Sequence, residues 1–192
     1  MKFTAMAIPD IVLLEPQIFN DSRGWFMESF NQCRFHQGLE GLGLPVPPPF
    51  VQDNHSLSHK GVLRGLHYQL PPYAQGKLVR VTRGATLDVV VDIRKRSPTV
   101  GKWLSVELNA RNQHMLWIPE GFAHGFLALE DNTEFSYKTT GYYAKESERC
   151  IAWNDTSLAI TWPDTVRIVV SEKDAKGILL AQAELFEQVS MK

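Results

Sequence analysis

Cysteine is scarce in this chain. Cys33 and Cys150 are the two in 192 residues, and they form no C-x-x-C pair. This excludes a disulfide framework, and with it the paired-cysteine spacing of structural zinc sites and dithiol redox motifs. An excess of charge of either sign is also missing: 20 Lys+Arg face 21 Asp+Glu, for a formal net charge of -1. Such a surface gives no electrostatic reason for nucleic acid or an acidic membrane to be the partner, and neither is expected. No apolar run approaches the ~20 residues of a membrane-spanning helix. The opening MKFTAMAIPD meets Pro9 and Asp10 before a signal-peptide core can build up, which predicts a cytoplasmic protein.

Hydrophobic residues make up 44% of the chain, and its 20 aromatics are ten Phe, five Tyr and five Trp. That excludes disorder, and the length suits one domain with a real core. The dominant pattern has period two. KLVRV (77–81), TLDVVVDI (86–93), WLSVEL (103–108) and EFSYKTT (134–140) read as short strands separated by turn-formers such as Gly84, Ser97-Pro98 and Gly101. Short strands at this spacing predict an all-β sandwich or barrel. Helix is expected only near 31–38 and over 171–185, the latter opened by Ser171 as N-cap. The proline-rich GLGLPVPPPF (41–50) lacks backbone donors and reads as an extended loop. The expected division is an N-terminal arm and loop (1–48), a β core (49–170) and a C-terminal segment (171–192).

Two of the six histidines stand in strong local contexts: His67 in GVLRGLHYQ, and His124 in WIPEGFAHGF, where Pro119, Gly121 and His124 spell P-x-G-x-x-H. Together these resemble the two motifs of the cupin superfamily, a double-stranded β-helix of jelly-roll type. Metal-binding cupins typically add a second His two residues after the first and a Glu soon afterwards. Here Gln69 takes that position, and no Glu lies between His67 and Gly84. A neutral amide is a weak ligand for a divalent metal, so no metal site is expected.

In order along the chain run FNDSRGWFMESF, FVQDNHSLSHKGVLRGLHYQLPP, AQGKLVRVTRGATLDVVVDIRKRSPTVGKW, WIPEGFAHGFL, EFSYKTTGYY, ERCIAWNDTSLAITWP and SEKDA. The series closely resembles the dTDP-4-dehydrorhamnose 3,5-epimerase family over roughly residues 8–178. The resemblance implies a cupin-fold homodimer with an N-terminal β arm and short peripheral helices, working without cofactor or metal. The implied substrate is a dTDP sugar with a ketone at C4. A base takes the proton at C5 or C3, and the enolate is reprotonated from the opposite face.

By that resemblance His67 is the base, a role suited to a group titrating near neutral pH. Tyr137 falls at the acid position, and a phenol with an unperturbed pKa of ~10 keeps its proton at neutral pH. Lys77 is implied as partner of the C4 oxygen, where a fixed cation gains most as charge develops. It shares strand parity with Val79 and Val81, which places it on their face. Asp174 is implied to orient His67, yet Ser171-Glu172-Lys173-Asp174 fits a helix capping box equally well.

The implied substrate-binding set is Arg23, Phe26, Glu28, Gln52, Asp53, Asn54, Arg64, Lys77, His124, Tyr143, Glu148 and Lys173. Cations suit a diphosphate, while amides and carboxylates suit polar edges of base and sugar. The arm with Arg23 and Glu28 is implied to cross into a neighbouring subunit. Arg64 and His67 pose a geometric difficulty, because residues three apart on a regular strand face opposite sides. A bulge at Gly65 is therefore expected. Leu57, where many members carry a basic residue, and a long 41–50 loop depart from the pattern. They leave open a relative that inverts one centre only. A metal-dependent cupin and a non-catalytic sugar-binding jelly roll are the other readings.

Overall fold

The computed structural model describes residues 1–187; the last five residues of the expected C-terminal segment lie outside the described part. The strands in chain order are β1 (Lys2–Ala5), β2 (Val12–Glu15), β3 (Ile18–Asp21), β4 (Gly24–Met27), β5 (Gln52–Ser58), β6 (Leu63–Gln69), β7 (Lys77–Arg83) and β8 (Ala85–Asp92). They continue as β9 (Trp103–Asn109), β10 (Met115–Ile118), β11 (Phe122–Ala128), β12 (Thr133–Thr139) and β13 (Glu148–Cys150), with α1 (Gln32–Gly41) between β4 and β5. Two antiparallel sheets form, ordered β1-β2-β10-β7-β12-β5 and β13-β6-β11-β8-β9. All four strands expected from period two are present, within one or two residues of their sequence bounds.

The sheets face one another across a core that includes Val79, Val81 and Phe135 from one and Val90, Leu108 and Phe126 from the other. Each sheet is also covered on its outer face. Against the six-stranded sheet, Phe35 and Leu39 of α1 pack on Leu14, Leu78, Met115 and Trp117. Against the five-stranded sheet, Leu158 and Phe186 pack on Val89, Val91 and Ala123. Burial on both faces explains the continuous Val89-Val90-Val91 in β8, whose residues are nearly all buried. No helix among the described residues is long and apolar enough to cross a membrane.

The helix α1 starts where expected, with the Asn31 side chain accepting from the Arg34 N–H at 3.1 Å. It runs three residues further than its predicted end and stops at Gly43, whose φ of +72 permits the reversal. There the Leu44 N–H bonds back to Leu39 O and the Gly43 N–H to Glu40 O, satisfying the last carbonyls. The helix expected over 171–185 does not form. Two short 3₁₀ turns, Asp174–Lys176 and Leu180–Gln182, stand in its place. Between and after them the chain is extended: Ile178 exchanges hydrogen bonds with Cys150 and Ala152, and Phe186 with Ile93 and Lys95. Pairing with these strand ends overrides the local helical pattern. The expected arm also narrows, because β1, β2 and α1 belong to the packed body. What stands apart is the β3–β4 hairpin, a sheet of its own.

The irregularity expected in β6 is present. Across β6 and β11, His124 is opposite His67 but Phe126 is opposite Arg64, so three residues on one strand match two on the other. The slip occurs where two glycines meet. A Cβ on Gly65 would lie 2.5 Å from Gly125 Cα, and Gly65 has a φ of +133. The expected result for Gly65→Ala is therefore loss of this register, costing about 3 kcal/mol or more from strain and overpacking. Urea denaturation of the variant beside Gly125→Ala measures it; a change under 1 kcal/mol in both would contradict the account.

Candidate active site

The two sheets leave an open-mouthed cavity of about 440 Å³ between them. The slip at Gly65 brings both Arg64 and His67 onto its wall, although they are three residues apart. His67 Nε2 lies 2.6 Å from Asp174 Oδ1, a contact spanning 107 residues of sequence. Asp174 is 5% exposed and its own N–H donates to Ser171 Oγ at 3.1 Å. Half of the capping box therefore forms, but the carboxylate is directed to the imidazole. Burial opposes ionisation of Asp174, yet the hydrogen bond and charge of His67 outweigh it and hold the carboxyl below its ordinary value. An ionised Asp174 accepts the ring N–H at Nε2 and leaves Nδ1 with the free lone pair.

The six-stranded sheet supplies Lys77 and Tyr137, which stand on neighbouring strands of the same wall. Burial lowers the Lys77 ammonium from 10.5 to about 8, against the opposing attraction of Glu148 and Asp88. Burial, with Glu148 adding to it, raises the Tyr137 phenol, so this hydroxyl keeps its proton at neutral pH. At the floor, His124 Nε2 is 3.0 Å from both carboxylate oxygens of Asp88. Asp88 is fully buried, and desolvation keeps its carboxyl above the ordinary range despite His124 and Lys77.

At the rim, Glu148 gathers two of the expected binding residues. Tyr143 donates its hydroxyl to Glu148 Oε2 at 2.7 Å, and Lys173 Nζ lies 2.5 Å from the same oxygen. Burial opposes the charge on Glu148, but these two partners hold its carboxyl below the usual value. Arg64 donates to Ser58 Oγ and to Leu57 O, and Asn54 completes this side.

Of the residues expected from sequence, His67, Lys77, Tyr137, Asp174, Asn54, Arg64, His124, Tyr143, Glu148 and Lys173 line this one cavity. Gln52 stands just behind it, bonding Asn54 Oδ1 and the Tyr143 N–H. Besides Gln52, four others do not line the cavity of their own chain. Asp53 alternates with Asn54 on β5, faces away and pairs with Lys138. Arg23 and Phe26 sit on the separate hairpin, Arg23 paired with Asp21, and Glu28 bonds Asn31 at the start of α1. Leu57 is exposed and also lies off the cavity.

Asp88 was missed by motif reading. Its signal was an acid directly before the apolar run Val89–Val91 of β8, at the parity of Val90. Gln69 also gains an explanation. Its amide donates to Tyr73 O and Tyr142 O and accepts from the Ala144 N–H, so it clamps loops rather than offering a ligand. His67 and His124 are register partners, yet each is engaged by a different carboxylate, contrary to a shared two-histidine metal centre.

A jelly roll whose interior presents a carboxylate-held imidazole, a desolvated lysine and a protonated phenol is built for proton transfer next to a developing oxyanion. The family model described as dTDP-4-dehydrorhamnose 3,5-epimerase matches residues 5–182. The dTDP-4-dehydrorhamnose 3,5-epimerase of Shigella flexneri is 56% identical over 186 residues, 97% of this chain and 99% of the relative. The dTDP-6-deoxy-D-glucose-3,5-epimerase of Legionella pneumophila, solved with dTDP-4-keto-L-rhamnose, superposes with a TM-score of 0.91 at 45% identity, covering 98% of this chain and 99% of that one. A 3'-monoepimerase of Streptomyces bikiniensis, solved with dTDP-quinovose, gives 0.85 at 35% identity over 94% and 88%. The chain belongs to the dTDP-4-dehydrorhamnose 3,5-epimerase family and is an epimerase.

Lys77 has a consequence for stability. The folded chain releases its proton near 8 and the unfolded chain near 10.5. Between those values the unfolded state binds more protons, so this group makes stability rise with pH, and below 8 its full cost is present. Lys77→Met is expected to be more stable than the parent at pH 7, by up to about 3 kcal/mol, with the gain shrinking toward pH 10.5. Urea midpoints at both pH values test this; a variant less stable at pH 7 would contradict it.

Proposed function

We infer that this epimerase inverts C3 and C5 of dTDP-4-dehydro-6-deoxy-D-glucose, giving dTDP-4-dehydro-L-rhamnose in dTDP-L-rhamnose biosynthesis. The observation that carries the mechanism is the pairing of His67 with Asp174 on one sheet's side of the cavity, facing Tyr137 and Lys77 on the other. A sugar ring held between the sheets has the imidazole on one face and the phenol on the other. His67 Nδ1 takes the proton from the carbon next to the ketone, and Asp174 stabilises the imidazolium that results. The electron pair moves to the C4 oxygen, where the Lys77 ammonium meets the growing charge in a partly dry site. Tyr137 then gives its proton to the opposite face of the carbon, and solvent restores both groups. Proton transfer next to a carbonyl needs no redox group, and no metal or cofactor is assigned a step. Arg64 and Lys173 suit the diphosphate.

Incubation with the keto-sugar in D₂O, followed by NMR, is expected to place deuterium at both C3 and C5. Label at one position would assign a single-centre epimerase, and label at neither would sink the reading. Similarity favours the double epimerase, since identity is higher to the Shigella flexneri enzyme than to the monoepimerase. His67→Ala and His67→Asn are expected to lower exchange by about 10²–10⁴-fold while dTDP affinity is kept.

The working unit is a homodimer in this reading. The β3–β4 hairpin exposes Phe19, Trp25 and Phe26, the last at 69%, around Arg23 in its turn. An isolated two-stranded hairpin is marginal, and an apolar surface of this kind calls for a covering partner. Docked on a second copy, it carries Arg23, Phe26 and Glu28 toward that copy's cavity. Mixing inactive Arg23→Glu and His67→Ala chains should then restore up to about a quarter of wild-type activity, from hybrids in which one site has both native residues. Ultracentrifugation showing dimers with no recovery would refute arm exchange.

A further inference from the structure

Cys150 is the side chain beside the dyad that the reaction above leaves unused. The pairing of β13 with β6 sets Cys150 directly opposite His67. A ring nitrogen of His67, the Cys150 sulfur and a carboxylate oxygen of Asp174 all lie within 4.8 Å of one another. Strand β6, strand β13 and the turn at Asp174 thus bring an imidazole, a thiol and a carboxylate together; His67 and Asp174 line the open cavity, and the half-buried Cys150 lies behind them.

These are the three ligand types that zinc takes, at Zn–S of about 2.3 Å and Zn–N and Zn–O of about 2.0–2.2 Å. A tetrahedral ion with those bonds holds its ligand atoms about 3.3–3.6 Å apart. The trio has to close by an ångström or so at its widest, and the 2.6 Å His67–Asp174 contact has to open by somewhat less. Side-chain rotation accomplishes both without moving a strand. Three protein ligands leave a fourth position for water, and a mixed N, S, O set selects against magnesium, which takes oxygen ligands.

We propose that His67, Cys150 and Asp174 form an inhibitory site for a thiophilic divalent cation of the zinc and cadmium class. On binding, the Cys150 S–H bond breaks, its proton goes to water and the sulfur bonds the metal. The cation replaces the hydrogen between His67 and Asp174, and that proton moves to Nδ1, so the ring stays neutral and Nδ1 loses its free lone pair. Nothing is oxidised or reduced. The imidazole is then no longer available as a base, while Arg64 and Lys173 remain free for the diphosphate. Inhibition rests on the reading of His67 as base; the binding site itself does not.

Titration of the purified protein with Cd²⁺ reads the site directly through the ultraviolet thiolate-to-cadmium charge-transfer band. One equivalent is expected to develop the band in wild type and in Cys33→Ser, and none in Cys150→Ser or Cys150→Ala. Turnover of the metal-free Cys150 variants should be near wild type, and half-inhibition by Zn²⁺ should need at least tenfold more metal than in wild type. Mg²⁺ should leave turnover unchanged, and dTDP affinity should be unaffected by Zn²⁺. A band that persists without Cys150, no band in wild type, or equal Zn²⁺ sensitivity in wild type and both Cys150 variants would overturn the proposal. Deuterium exchange in metal-free wild type is scored separately: its absence would overturn the epimerase reading while a Cys150-dependent band would still establish the metal site.

Discussion

The close approach of β6 and β11 at Gly65 and Gly125 is the constraint on which the site depends. Two backbones pass where neither residue can carry a Cβ, and the register slips by one residue at that point. A regular ladder would have sent Arg64 and His67 to opposite faces. The slip puts both on the cavity wall, and on the other edge of β6 the regular pairing with β13 sets Cys150 opposite His67. From there Asp174, held by Ser171 in its turn, is within reach of the imidazole.

The cavity lies between two apolar sheet faces, and several of the charged or chargeable groups on its wall are held by a neighbour. His67 has Asp174, His124 has Asp88, and Lys173 has Glu148. Among the described residues Lys77 has no salt-bridge partner; its ammonium donates to the His67 carbonyl at 3.4 Å. Burial pushes its ammonium down to about 8, with distant help from Glu148 and Asp88. In the proposed reaction this cation, short of a counter-charge and partly desolvated, meets the oxygen that becomes negative, which is where electrostatic catalysis draws its strength. The same shortage costs stability in the resting protein.

The outer layers serve the same end. The helix α1 and the C-terminal segment cover the two outer faces, so the strands can be apolar on both sides and rigid enough to hold the site. The β3–β4 hairpin is excluded from this packing and keeps its aromatics exposed.

Much of this was legible in the sequence for local reasons. Alternation marked the strands, Asn31 marked the helix start, and the parity of Lys77 with Val79 and Val81 placed it inward. An ordered series of motifs was enough to identify the family and ten of the residues that line the cavity. Even the break in β6 could be anticipated, because Arg64 and His67 could not otherwise share a face and Gly65 between them could host a bulge. Contacts between distant segments were a different matter. The sequence left Asp174 poised between a helix cap and a dyad, since both readings use its carboxylate; a contact across 107 residues directs that carboxylate to His67. It suggested a helix after Ser171, and pairing of Ile178 and Phe186 with remote strand ends drew that segment out. Asp88 and Cys150 lie within quoted segments but were given no role there, and they acquire meaning only beside His124 and His67. Periodicity and capping act through neighbours in the chain, so sequence alone determined them, whereas burial, charge pairing and the meeting of a thiol with a dyad act through space, so only the tertiary structure decided them.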